Sequence, residues 1–337
     1  MTKTCDPQST YLGSDGSKGS NRNVFGQTVA KIMSGMSDEQ KKNVLCIDSD
    51  LEGSVGFKHI RAAHPEMYLK SGIMERGNFS ACAGFGMKKG RQGIFATFAA
   101  FLEMCTSEIT MARLNRSNVL CHFSHSGCDD MADNTCHFGL NNLFADNGLE
   151  DHYETKLYFP CDANQMDKVV RRVFFDHGMR FVFSIRSKLP LILNDQGTPF
   201  YGDGYKFVPG KDELIRDGKD GFVVSFGDAI YRSLDAVERL KKDKGLSVGL
   251  VNKPTLNVVD EDMMKKIGSA KFVLIVEPLS RRTGLGSKFG TWLLERGLSP
   301  KFARIGVHRE GCGGLWEQAY HQGYDSKSIQ KKILELA

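Results

Sequence analysis

The sequence predicts an α/β protein built from two doubly wound domains. Its 337 residues are enough for two domains of ordinary size. Short apolar runs, such as Val44–Asp48 and residues 222–226, alternate with stretches of helical periodicity. This alternation favours parallel sheets that are covered by helices on both faces. Residues 199–220 interrupt it with a dense group of turn-forming residues, which indicates a connection between two units.

The first unit is predicted from residue 22 to residue 195, after a flexible tail at residues 1–21. Its predicted helices are residues 24–33, 75–87, 103–115 and 163–176, and its predicted strands are 44–48, 93–97, 119–124, 157–160 and 181–185. Ligands of such sheets bind beyond the carboxyl ends of the strands. The unusual polar and aromatic side chains of this unit follow those ends: Asp48, Asp50, Phe98, the loop 125–137, Asp162 and Arg186.

The second unit is predicted at residues 220–337, after a linker at residues 196–219. Its predicted strands are residues 222–226, 247–251, 272–276 and 303–307, and its predicted helices are 229–241, 260–267, 286–296 and 326–336. The alternation again favours a parallel sheet.

Composition limits the classes of function. The chain is 41% hydrophobic and 25% charged, with a dispersed net charge of +5, so we expect neither a membrane span nor a nucleic-acid surface. Nine cysteines without a CxxC pair are typical of reduced thiols, and a cytoplasmic protein is expected. His122, His125, Cys128, Cys136 and His137 lack the spacing of known zinc sites, so no metal site is predicted in this chain.

The segment from Ser71 to Phe101 is the most informative. Glu75 opens a helix rich in small residues, and the strand that follows ends in Phe98 and Phe101. A carboxylate beside an aromatic shelf suits a flat heteroaromatic cofactor with a protonatable ring nitrogen. Each residue alone also has a structural interpretation, since acids are common at helix N-termini and phenylalanines in cores.

The spacing of these motifs resembles the pyrimidine-binding domain of the transketolase family. The residues that carry the likeness are Gly72-Ile73-Met74-Glu75 and Thr97-Phe98-Ala99-Ala100-Phe101. The chain after Asp220 is similar to the family's C-terminal domain. The resemblance implies a thiamine-diphosphate-binding fold of the pyrimidine type, followed by a transketolase C-terminal-type domain.

The same resemblance implies roles for the cofactor residues. Glu75 would share a proton with the pyrimidine ring of thiamine diphosphate and so activate it, while Phe98 and Phe101 stack on that ring. Asp50, within Asp48-Ser49-Asp50-Leu51, matches a family aspartate near the cofactor.

The loop 125–137 resembles the family's substrate loop. Its spacing places His125, Asp133 and His137 on substrate-contacting positions, with the histidines as catalytic groups and Asp133 as a substrate ligand. Ala132, Asn134 and Phe138 depart from the family pattern, and these departures leave the identity of the sugar open.

A distal anion site is implied by two further matches. Arg186, in Ile185-Arg186-Ser187-Lys188-Leu189-Pro190, matches a phosphate-binding arginine, and Ser54 matches a serine near the phosphate. A guanidinium fork suits a phosphate. A surface ion pair is the alternative for Arg186, and Arg22 is a looser candidate for the same anion.

The sequence lacks the motif expected for the diphosphate half of the cofactor site. Its Gly-Asp-Gly and distant Asn hold Mg²⁺ in the family, whereas Gly202-Asp203-Gly204 lies in the linker and is interpreted as a turn. We therefore expect a second subunit that carries the diphosphate and Mg²⁺ domain. The resemblance implies an α2β2 heterotetramer in which this chain also pairs with itself.

Three functions remain after this reasoning. The first is ketol transfer by one component of a two-subunit transketolase-like enzyme. The second is the beta subunit of a 2-oxoacid decarboxylating dehydrogenase. The third is a non-catalytic regulatory or binding subunit that retains the fold.

Overall fold

Two α/β units, each built on a mainly parallel sheet, make up the chain. The computed structural model describes residues 10–129, 134–146, 155–312 and 318–337. Within these ranges a six-stranded sheet belongs to the first unit and a five-stranded sheet to the second. The predicted α/β fold is confirmed.

The elements of the first unit follow the predicted alternation closely. The strands are β1 (Ser14–Gly19), β2 (Val44–Asp48), β3 (Tyr68–Leu69), β4 (Gln92–Phe98), β5 (Val119–Ser124), β6 (Thr155–Tyr158), β7 (Met179–Phe183) and β8 (Leu189–Ile192). The helices are α1 (Asn21–Ser34), α2 (Asp38–Lys41), α3 (Glu52–Val55), α4 (Lys58–Ala63), α5 (Glu75–Gly86), α6 (Thr106–Leu114) and α7 (Ala163–Val173). Short 3-10 helices lie at Pro65–Met67, Ala99–Cys105, Asn134–His137 and Asn142–Asp146.

The large sheet of this unit is parallel throughout, in the order β3-β2-β4-β5-β7-β6. Ile94 and Phe95 point to opposite faces, and each is fully buried in a separate apolar cluster. Burial on both faces explains the continuous apolar strands. The register places Asp48 opposite Ala96 and Phe98 opposite Ser124, so the ends of β2, β4 and β5 meet at one edge.

The second unit has the sheet order β13-β12-β10-β11-β9. Its strands are β9 (Glu213–Arg216), β10 (Gly221–Ser225), β11 (Val248–Asn252), β12 (Phe272–Ser280) and β13 (Lys301–Val307). Its helices are α8 (Ala229–Lys244), α9 (Glu261–Gly268), α10 (Leu285–Glu295), α11 (Gln318–Gln322) and α12 (Ser326–Leu336). All strand pairs are parallel except β9 with β11.

Two segments are more ordered than the sequence suggests. The stretch 196–219, expected to be only a linker, contains β9, whose backbone pairs with β11. Within the expected tail, residues 1–9 lie outside the described residues, but β1 pairs with β8. Just before it, the backbone N–H of Leu12 donates to Asp235 at 2.7 Å. Backbone pairing with a distant strand orders both segments, and local composition does not reveal it.

The second unit anchors the loop that follows β5. Arg232 of α8 is 1% exposed, and its guanidinium lies 3.1 Å from the carboxylate of Asp129 and 3.7 Å from that of Asp228. Its charge also lies over the ring of Tyr324, 5.5 Å from the centroid. Burial raises the pKa of Asp228 to about 7 although Arg232 acts in the opposite direction. A single buried cation therefore joins two buried acids across the two units.

Replacing this arginine tests the anchor. Arg232→Met leaves Asp129 and Asp228 buried without a counter-charge, and removing one partner of such a cluster costs about 3–5 kcal/mol. We expect a loss of this size in the free energy of unfolding, measured by urea titration. In the control, Arg172→Met removes an exposed ion pair with Asp176 and should cost about 0–1 kcal/mol. Equal losses in the two variants would show that the buried cluster contributes no more than a surface pair.

Candidate active site

A cavity of about 340 Å³ opens at the carboxyl edge of the six-stranded sheet. It is lined by Ser49, Asp50, Leu51, Ile73, Glu75, Phe98, Phe101, Met104 and His137. Five of these residues were candidates from the sequence: Asp50, Glu75, Phe98, Phe101 and His137. The fold thus brings together side chains that are far apart along the chain.

Glu75 is the first residue of α5 and is only 6% exposed. The N-terminal end of a helix favours a negative charge. Among the described residues, however, none donates a hydrogen bond to its carboxylate, whose oxygens are not fully enclosed. The group faces the cavity, so a ligand with an N–H donor could supply the missing bond.

The opposite wall of the cavity is aromatic. Phe98 ends β4, and the 3-10 helix Ala99–Cys105 turns back so that Phe101 lies beside it. Their ring centroids are 5.8 Å apart and the rings are within 21° of parallel. His137 meets the two rings edge-on, at 6.2 Å from Phe98 and 5.8 Å from Phe101. This shelf offers a face on which a planar ring can stack.

His125 lies behind the shelf, with its ring stacked 3.9 Å from that of Phe98. It is 5% exposed and has a left-handed backbone, with φ of 59°. Its Nδ1 shares a hydrogen bond of 2.8 Å with the hydroxyl of Ser124. Burial, followed by the charges of Arg22 and Arg186, lowers the pKa of His125 to about 3. The imidazole is therefore neutral at physiological pH and can both accept and donate a hydrogen bond.

Positive groups gather on the far side of His125. Arg22 donates from Nη1 to the backbone carbonyl of Ser54 at 2.9 Å, while its Nε is buried without a partner among the described residues. Burial and the neighbouring charge of Arg186 both lower the pKa of Arg22. The unpartnered Nε of Arg22, beside a second positive charge, is therefore a group to which an anion could bind.

Other sequence candidates lie elsewhere or outside the described residues. Asp133 and Ala132 are among the latter. Phe138 is 7% exposed and packs in the apolar core, and Asn134 accepts a hydrogen bond at 2.8 Å from the backbone of Thr135. His122 is fully buried against Phe25. In the described ranges no three His, Cys, Asp or Glu side chains lie together as metal ligands would.

The sequence reasoning missed part of the cavity wall. Ser49 and Leu51 flank Asp50, and Met104 follows Phe101 by one turn of the 3-10 helix. Proximity along the chain to the chosen candidates was the available signal for all three. Ile73 also lines the wall, inside the motif that carries Glu75.

The neutral state of His125 gives a pH test. Below its ordinary pKa of 6.5 the imidazole takes up a proton in the unfolded chain but not in the folded one, which costs about 1.4 kcal/mol per pH unit. Between pH 7 and pH 5 the folded protein should therefore lose about 2 kcal/mol on account of this residue. The His125→Asn variant has no imidazole at this position and should not lose this stability.

The measurement is the free energy of unfolding of both proteins at pH 7 and pH 5. His308→Asn, at an exposed position in the second unit, controls for the removal of an imidazole. If the wild type and His125→Asn lose the same stability on acidification, His125 is protonated within the fold.

Two models of known protein families match consecutive parts of the chain. The model of the transketolase pyrimidine binding domain matches residues 17–190, and that of the transketolase C-terminal domain matches residues 210–317. None of the helices in the described part of the chain is long and apolar enough to cross a membrane.

Relatives of similar length share about a quarter of the residues. A protein of Methanocaldococcus jannaschii named as a transketolase C-terminal section is 25% identical over 318 residues, covering 93% of this chain and 95% of that protein. A protein of Actinobacillus succinogenes named as one of the subunits of apulose-4-phosphate transketolase is 24% identical over 278 residues, covering 81% of this chain and 85% of that protein.

A solved structure described as a split gene transketolase, inactive beta4 tetramer, has the same fold. It superposes with a TM-score of 0.77 at 20% identity, over 94% of this chain and 98% of the other. Because the pyrimidine-domain model alone matches more than half of the sequence, the chain belongs to the transketolase family.

Proposed function

We propose that this chain is one component of a two-subunit, transketolase-like enzyme that transfers a ketol unit from a ketose to an aldehyde. The observation that carries the proposal is the buried carboxylate of Glu75, which lacks a donor among the described residues and faces the shelf of Phe98 and Phe101. An aminopyrimidine with a protonated ring nitrogen has the N–H donor that the Glu75 carboxylate lacks.

The chain's own residues would bind the pyrimidine end of thiamine diphosphate. Glu75 would accept the N–H of the ring and hold its proton, and Phe98 and Phe101 would stack against the ring face. Asp50, on the turn after β2, also lines the cavity. When bound, this cofactor supplies carbanion stabilisation.

The substrate would lie between the shelf and the positive groups. His125 is neutral and can exchange hydrogen bonds with a hydroxyl or carbonyl, and His137 stands at the rim of the same cavity. We assign Asp133 to the substrate from its place in the loop. Arg186, with Ser54 and Arg22, would hold a distal anion such as a sugar phosphate.

The partner would supply the other half of the site, including Mg²⁺ and the ligands of the diphosphate. Two of the side chains that line the cavity are apolar and exposed: Ile73 (77% exposed) and Met104 (47%). Exposed apolar side chains of this kind fit a covering protein surface. An α2β2 assembly remains our proposal, and the free thiols of the described cysteines fit a cytoplasmic location.

Replacing the carboxylate tests the function directly. In the complex with the partner chain, Glu75→Gln should lower the rate of ketol transfer by about 10²–10⁴-fold, because proton sharing with the cofactor is lost. Size-exclusion chromatography should show unchanged assembly. The highly exposed Glu39→Gln is the matched control. An unchanged rate in Glu75→Gln would favour the non-catalytic alternative, and turnover of pyruvate in place of a ketose would favour the 2-oxoacid enzyme.

The anion site has a separate test. Arg186→Gln should raise KM for a phosphorylated ketose about 10–100-fold, since a charge-assisted bond contributes about 1.5–3 kcal/mol. KM for the unphosphorylated ketose should change little. Lys188→Gln, which removes an exposed charge two residues away, is the control. Equal effects on both ketoses would place the anion elsewhere.

A further inference from the structure

We infer that Asn78 is a positioning residue, whose side-chain amide clamps the segment leading to Glu75 onto the turn that carries Asp50. The clamp is a property of the folded chain. Its consequence, a cavity held at the width that the cofactor ring requires, rests on the proposed function.

The contacts of Asn78 connect three parts of the chain. The side chain is 3% exposed, and its Oδ1 accepts the hydroxyl hydrogen of Ser71 at 2.6 Å. Its Nδ2 donates to the carbonyl of Gly72 at 3.0 Å, to the hydroxyl of Ser49 at 3.1 Å and to the carbonyl of Asp48 at 3.3 Å. One buried amide thus connects the segment before α5 to the turn after β2.

The segment before α5 has little else to hold it. Gly72, Ile73 and Met74 are exposed, and Met74 provides no side-chain cap for the helix. Asn78 lies three residues after Glu75, about one helical turn along, so its side chain can reach back under the start of the helix. The path of residues 71–74 into α5 therefore depends on the amide, because these residues themselves pack little.

The turn on the other side is rigid in itself. The buried Asp48 accepts the backbone N–H of Leu51 at 2.6 Å and the hydroxyl of Tyr68. Between them, Asp50 has a left-handed backbone, with φ of 59°. Asp48 shapes the turn, and Asn78 attaches the Glu75 segment to that fixed shape. Because both Asp50 and Glu75 line the cavity, the clamp sets the distance between its walls.

The first test uses the full chain without ligand. Asn78→Asp keeps the acceptor for Ser71 but replaces the donating group with a second oxygen, which would face three acceptor oxygens. Amide hydrogen exchange should become about tenfold faster at the start of α5, in residues 79–81, whose N–H groups are hydrogen-bonded within the helix, as expected for the loss of about 1.4 kcal/mol of local protection. Ser71→Ala removes a single bond and should change the same residues less, which keeps the test open if Asn78→Asp does not fold.

Asn118→Asp is the matched control. Asn118 also donates from its amide to a backbone carbonyl, that of Arg91 at 2.9 Å, but it lies at the amino edge of the same sheet. It should leave exchange in residues 79–81 unchanged. If both variants accelerate exchange in the same residues, or neither does, the clamp is refuted.

The second test uses the complex with the partner chain and thiamine diphosphate with Mg²⁺, followed by calorimetric titration. Asn78→Asp should weaken cofactor binding about tenfold, while KM for the ketose at saturating cofactor stays unchanged. Faster exchange with unchanged cofactor affinity would overturn the positioning role. If the wild-type complex itself binds no cofactor, the proposed function fails together with the positioning role, whereas the exchange experiment still decides whether the clamp exists.

Discussion

The parallel pairing of β2, β4 and β5 is the constraint on which the site depends. These strands are buried on both faces, so their register is fixed by the apolar side chains that each face must receive. Phe98 lies opposite Ser124 because of that register, and His125 consequently stacks against Phe98. A slip of one residue would turn these side chains to the other face and separate the shelf from the histidine.

The second domain completes this arrangement from outside the sheet. The loop after β5 is attached on one side by Asp129 to Arg232 and on the other by the hydroxyl of Thr135, which accepts the backbone N–H of Gly311 at 2.9 Å. The loop is therefore held by groups more than 100 positions away in the chain. The C-terminal domain therefore supports the loop that carries His125 and His137.

The sequence was a good guide wherever the signal is local. The strands β2, β4 to β7 and β10 to β13 and the helix that begins at Glu75 follow from periodicity, and the cavity candidates follow from the resemblance of their motifs to those of the family. β1 and β9 were missed because their order comes from pairing with distant strands. Asn78 was missed for the same reason: a polar residue on a helix reveals neither its burial nor its partners.

Several features of this edge of the sheet are costly for an isolated chain. The carboxylate of Glu75 has no hydrogen-bond donor in the described chain, the Nε of Arg22 is buried without a partner there beside the charge of Arg186, and apolar residues such as Ile73 are exposed. Each cost falls if the matching group is present: an N–H donor for the carboxylate, an anion for Arg22 and a protein surface for the apolar residues. Glu75 and Ile73 line one cavity, and Arg22 and Arg186 act on His125, which stacks on its aromatic wall. An assembly of cofactor, anionic substrate and partner would therefore relieve these costs together, and their proximity argues for half of a composite site more strongly than any one of the features does alone.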